Sequence, residues 1–321
     1  MSVSWLFSCI PQTQITVSKL LFDAYARSQN DSATLSILDT VRAGIIEDEK
    51  SAEALNLKAM NGERVNGLHF KGTEDKAIIW LHGNGCFYET SLGRPLLWRE
   101  GLKREGQIPH LVVFNPRGTG RSEGRTQLST VIEDLSLFFD YVRPKSVVIG
   151  GHSMGGYFTL FGAAELQKRY PDIDINFVSD RSLWDLRSRV SPSLERAGCT
   201  GSSKKMMTLY VQSVLNSPDW TRDSLAALES LKGRVLIIFH RKDGVVILEE
   251  STYQGLLKAH RTKEYRLLEL EDPSMTEVSA TPHNREFTGQ ENQVIIAELG
   301  RMLGIHEKPT STILMTPETK V

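Results

Sequence analysis

Ser153 stands in the run Gly150-Gly151-His152-Ser153-Met154-Gly155-Gly156, directly after the apolar stretch Val147-Val148-Ile149 and directly before a segment with helical spacing. A serine hydroxyl is a poor nucleophile until something positions it and takes its proton. A serine at a sharp strand-to-helix turn, with small residues two before and two after it, meets the first of these needs. The turn exposes the hydroxyl at the carboxyl end of the strand. The following helix turns its positive end toward developing negative charge. The same run also reads as a tight turn holding a structural serine, a reading in which the strand and helix around it serve no chemistry.

Chemistry at an acyl carbon passes through a tetrahedral oxyanion, which needs fixed N–H donors. The backbone N–H of Met154, next to Ser153, is one expected donor. A second run supplies the other: Ala77-Ile78-Ile79-Trp80-Leu81 leads into His82-Gly83-Asn84-Gly85, where Asn84 is the expected donor and the glycines allow close approach of a substrate. His82 lies inside this loop and is read as ordering it, not as the base. Gly118-Thr119-Gly120 is misspaced for a dinucleotide loop, and Gly150 to Gly156 lacks the Gly-Lys-Ser/Thr ending of a phosphate loop. Neither a cofactor nor a metal is expected.

Together with Asn115-Pro116-Arg117-Gly118-Thr119-Gly120-Arg121-Ser122-Glu123-Gly124 and Asp134, these motifs resemble the α/β-hydrolase superfamily over roughly positions 50 to 303. The resemblance implies the chain order serine, acid, histidine. Asp243, after Val235-Leu236-Ile237-Ile238-Phe239, is the implied acid, and Asp180, after an earlier strand, is the alternative. The implied base lies beyond the last strand, where His283 and His306 are the histidines. His306 falls in the tail, so His283 is the candidate. The segment from Leu270 to His283 is longer than the superfamily usually shows. Ser179-Asp180-Arg181-Ser182-Leu183 more faintly resembles the CHLPS-type hydrolases of intracellular bacterial pathogens.

The elements that must position these residues are legible from periodicity. Short apolar runs at 77–81, 111–114, 146–149 and 235–239, with weaker ones at 175–178 and 265–270, suit strands buried on both faces. Helical patterns fall at about 90–105, 127–143, 155–169, 203–216 and 290–303. A hairpin precedes them, with Asn61-Gly62 expected as a type I′ turn. The expected class is α/β: a mostly parallel sheet with an antiparallel edge and helices on both faces. Residues 16–47 show helical spacing interrupted at Asn30 and Asp31. The expected layout is a helical extension over 1–50, a hydrolase domain over 51–304 with a small cap over about 184–220, and a loose tail over 305–321. Met206, Met207, Tyr210, Val211, Val214 and Leu215 form either an apolar acyl-binding lid or an ordinary helix face packed on the sheet.

Composition limits the partners. Lys+Arg 38 against Asp+Glu 39 gives a formal charge of -1, no basis for nucleic-acid binding. The three cysteines, Cys9, Cys86 and Cys199, have neither disulfide nor zinc spacing, and a reducing, cytoplasmic setting is expected. No stretch reaches the roughly 20 apolar residues that span a bilayer. Trp5, Leu6, Phe7 and Cys9 offer at most a weak membrane-touching hook, and a strand or docked terminus is the plainer use. The expected substrate is a small-molecule or lipid acyl compound, an ester or thioester. An acyltransferase or peptidase would use the same triad, and a non-catalytic binding protein would keep the fold without turnover. Delivery into another cell, with the tail as address, rests on the faint resemblance alone.

Overall fold

The computed structural model describes residues 31–104, 106–190, 194, 200–217, 220–258, 265–271 and 281–305. Among them, eight strands form one sheet: β1 (Ala52–Lys58), β2 (Arg64–Phe70), β3 (Lys76–Leu81), β4 (His110–Phe114), β5 (Ser146–His152), β6 (Asp174–Asp180), β7 (Val235–Phe239) and β8 (Arg266–Glu269). Their spatial order is β1-β2-β4-β3-β5-β6-β7-β8. β2 pairs antiparallel with β1 and with β4, and every pairing from β4 onward is parallel. The helices are α1 (Ser32–Asp48), α2 (Gly93–Gly101), α3 (Leu128–Val142), α4 (Met154–Arg169), α5 (Gly201–Leu215), α6 (Ser224–Ser230), α7 (Thr252–Lys258) and α8 (Gly289–Met302).

The central strands β3, β4, β5 and β7 are mostly apolar because both faces of the sheet are covered there. Along β3, Ala77, Ile79 and Leu81 enter one core with α3 and α4, while Ile78 and Trp80 enter the other with α2 and α8. β5 and β7 divide in the same way, with Val148, Leu236 and Ile238 on the second side. Alternation with a period of two, apolar on both phases, is the mark of a fully buried parallel strand. Each large aliphatic side chain buried in this way contributes about 1.5–3 kcal/mol. Trp98 closes the second core, edge-on to Trp80 at 4.9 Å, with its indole N–H donated to Asn292 Oδ1 at 3.0 Å.

Three expectations change. The hairpin turn is not type I′: Gly62 has φ 90° while Asn61 does not have positive φ. The Gly62 N–H bonds the Ala59 carbonyl at 2.9 Å, and the Ala59 N–H bonds the Glu63 carbonyl at 2.8 Å. This is the pattern of a turn followed by a G1 bulge. Asn61 uses its side-chain oxygen to accept from the Glu63 N–H at 3.1 Å, so it needs no left-handed backbone. The helix placed at 90–105 begins only at Gly93, after a separate 3₁₀ turn at Tyr88–Thr90. Helices α6 and α7 have no counterpart in the sequence reading, since seven residues span too few turns to show a period.

On α5, Val211, Val214 and Leu215 are buried in the main core, whereas Met207 is exposed. This part of the segment is therefore a helix packed on the body, its apolar side spent on the core. The membrane hook, the helical spacing at 16–30 and the tail beyond Ile305 lie outside the described residues. Among the described residues no helix is long and apolar enough to cross a membrane.

Candidate active site

β5 ends at His152, and α4 begins at Met154, leaving Ser153 alone to turn the chain. Its backbone adopts φ 53° and ψ −122°. For a residue with a Cβ this conformation costs on the order of 1–3 kcal/mol and persists only where the surroundings impose it. They do so here through crowding. A Cβ on Gly151 would stand 2.5 Å from the Gly155 carbonyl carbon, and one on Gly155 would run into the His82 carbonyl oxygen. The Ser153 N–H is donated to the Asp180 carbonyl at 2.8 Å, which ties the elbow to the end of β6.

Asp243 follows β7 and His283 precedes α8, and the fold brings them together. His283 Nδ1 lies 2.7 Å from Asp243 Oδ2, with both side chains buried. The second carboxylate oxygen accepts the backbone N–H groups of Val245 at 2.8 Å and Val246 at 2.9 Å. Burial pushes this carboxyl up, but the His283 hydrogen bond and charge and the two backbone donors outweigh it. The group is held below the usual carboxylate range. An ionised Asp243 fixes the proton on Nδ1 and leaves Nε2 with a free lone pair, the tautomer a general base requires.

Asp180 is fully buried at the end of β6 and has different partners. Its carboxylate meets His152 Nδ1 at 2.9 Å, Arg181 Nε at 2.7 Å and Nη2 at 3.0 Å, and Arg94 Nη1 at 3.3 Å. Burial opposes its charge, and the Arg181 and His152 partners overcome that penalty, leaving the carboxyl strongly depressed. The two arginines then reach the His283 loop. Arg181 Nη1 donates to the carbonyls of Pro282 and Arg285, both at 3.0 Å. Arg94 Nη2 donates to the carbonyls of Asn284 at 2.9 Å and Arg285 at 2.8 Å. Asp180 thus anchors the segment that carries His283.

His152, the residue before Ser153, packs its ring 4.8 Å from that of His283. Burial lowers its pKa to about 4, with Asp180 offsetting only part of the penalty. It is neutral near pH 7 and adds no repulsion to a charged His283. Nothing in the sequence marked His152, Arg94 or Arg181 for these contacts. Apart from Asp180 next to Arg181, their partners lie between 28 and 191 residues away, and no spacing rule spans that distance.

Asn84 and Met154 line one small cleft of about 30 Å³, together with His82, Gly83, Gly155 and Phe158. His82 is buried and bonds the Gly83 carbonyl at 2.9 Å and Asn115 Oδ1 at 3.1 Å. It orders the loop that carries Asn84. Asp134 receives the backbone N–H of Arg117 at 2.9 Å and its Nε at 2.7 Å, fastening the loop after β4 to α3.

The chain resembles several solved structures in fold. An esterase from Pyrococcus furiosus is 18% identical, with a TM-score of 0.57 over 81% of this chain and 94% of that one. An alpha-beta hydrolase from Vibrio vulnificus is 16% identical, with a TM-score of 0.56 over 92% of this chain and 93% of that one. An alpha/beta hydrolase from Penicillium is 17% identical, with a TM-score of 0.55 over 79% and 99%. No curated protein matches the chain in sequence. The sequence model of the alpha/beta hydrolase family matches residues 78–246, more than half of the chain and the stretch that holds the elbow, the Asn84 loop and Asp243. The chain belongs to the alpha/beta hydrolase family.

Proposed function

We propose that this protein is a serine hydrolase that cleaves a carboxylic ester or thioester through an acyl-enzyme. The observation that carries the reading is the buried His283–Asp243 hydrogen bond of 2.7 Å, formed where the His283 ring packs against the residue preceding Ser153. Ser153 Oγ attacks the acyl carbonyl as His283 Nε2 takes its proton. The oxyanion rests on the backbone N–H groups of Met154 and Asn84, which border the same cleft. His283 returns the proton to the leaving alcohol or thiol. Water, deprotonated by the same nitrogen, then releases the acid and frees Ser153. In this reading residues 51–304 form the hydrolase domain, and residues 1–50 are an extension upon it.

Hydrolysis of p-nitrophenyl esters of graded chain length, compared between the wild type and Ser153→Ala, tests the reading. Activity that peaks at one chain length and falls by at least about a thousandfold in the variant is expected, since triad members act as a unit. Near-wild-type turnover by Ser153→Ala would overturn it. The fold of the Pyrococcus furiosus esterase supports starting with esters.

A further inference from the structure

The loop carrying Asn84 is held from outside the region matched by the family, by helix α1. Asn115, after β4, is the loop's fixed point. Its Oδ1 accepts the Tyr88 N–H at 3.0 Å and lies 3.1 Å from His82 Nε2. The amide is oriented in turn by Glu89, whose Oε2 accepts Asn115 Nδ2 at 2.9 Å. Glu89 is a carboxylate with its side chain wholly buried, and its other oxygen makes no hydrogen bond among the described residues. Such a charge needs a counter-charge.

Arg42 of α1 supplies it, with Nη1 3.6 Å from Glu89 Oε1. The same nitrogen donates to Asn66 Oδ1 at 2.6 Å, which also accepts the Tyr88 hydroxyl at 2.9 Å. Asp39, one turn earlier on α1, pairs with Arg42 and with Arg121 in the loop after β4. Leu35 and Leu38 complete the contact by packing on Phe87.

We infer that α1 is a brace for the oxyanion loop, in which Arg42 is a positioning residue that keeps Glu89 charged and Asn115 oriented, and so keeps Asn84 in place. This rests on the assignment of Asn84 as an oxyanion donor. Loss of an oxyanion donor costs about 100- to 1,000-fold in kcat, and displacement of one costs less.

Arg42→Met keeps most of the side chain's bulk and removes the charge. It should lower kcat for the best p-nitrophenyl ester about tenfold with little change in KM. It should also speed hydrogen exchange of amides 83–90 while leaving those of β5 unchanged. Glu89→Gln still accepts from Asn115 and needs no counter-charge, so Arg42→Met/Glu89→Gln should recover most of the lost kcat and the slow exchange. Arg42→Lys should stay within about threefold of wild type, and it carries the comparison if Arg42→Met does not accumulate as folded protein. A double variant no better than Arg42→Met would overturn the counter-charge role. Unchanged kcat and exchange in Arg42→Met would overturn the brace itself. If the wild type cleaves no ester, the exchange measurements still decide the brace, and only the hydrolase reading falls.

Discussion

Two aspartate–histidine pairs meet beside Ser153, Asp243 with His283 and Asp180 with His152, and the atoms around each aspartate separate their roles. Asp243 holds His283 with one oxygen and two backbone N–H groups with the other, and no arginine bonds it among the described residues. Its charge is directed through a single imidazole. Asp180 is saturated by two arginines as well as by His152, and those arginines also donate to carbonyls either side of His283. In the proposed mechanism the first pair passes a proton, whereas the second holds a loop. Chemical identity is the same in both, and the surroundings decide the function.

The sharpest way to break this comparison is to neutralise each acid in turn. Asp243→Asn should reduce kcat/KM by about 10³ to 10⁴, because the amide no longer fixes the productive tautomer, while the fold survives. His283→Ala should fall at least as far. If Asp180→Asn showed that loss and Asp243→Asn did not, the acid would be Asp180. Asp180→Asn should instead appear first in stability. It leaves Arg181 buried without its carboxylate, at a cost of about 3–5 kcal/mol and a fall in Tm on the order of 10 °C in thermal unfolding.

A smaller effect concerns pH. The folded pKa of His152 is about 4, against roughly 6.5 in the unfolded chain. Between those values the unfolded chain takes up a proton that the folded protein refuses. Stability from this group is complete above about pH 6.5 and is lost as pH falls toward 4. In His152→Gln, Tm measured from pH 7 to 4 should therefore decline less steeply than in wild type; equal slopes would remove His152 from the account. Below about pH 4 both proteins should lose stability together, as the depressed carboxyls of Asp180 and Asp243 become protonated. The smallest change is expected of Met207→Ser on the exposed side of α5, within about 0.5 kcal/mol of wild type by chemical denaturation. A larger loss would place this side chain in a contact that its exposure does not show.

Much of the fold was legible along the chain. The apolar runs at 77–81, 111–114, 146–149 and 235–239 all lie within observed strands, because a strand covered on both faces must be apolar at every position. The tight turn at Ser153 was legible for a related reason. Gly151 and Gly155 mark a place where backbones approach too closely for a Cβ, and that requirement is local. The Asn61-Gly62 turn misled because the Asn61 side chain took a local hydrogen bond that the dipeptide rule does not anticipate.

The sequence by itself determined the order of the strands and of the longer helices, the strained turn at Ser153 and the chain order of Ser153, Asp243 and His283. These follow from short-range sterics and from periodic burial. Only the tertiary structure decided which aspartate meets His283, what Asp180 does with two arginines, and why Arg42 reaches the loop after β3. Such contacts depend on which chain ends the sheet order brings side by side, and in a low-dielectric interior a charge must be matched by whatever group the fold delivers there. Residue spacing carries no record of that meeting.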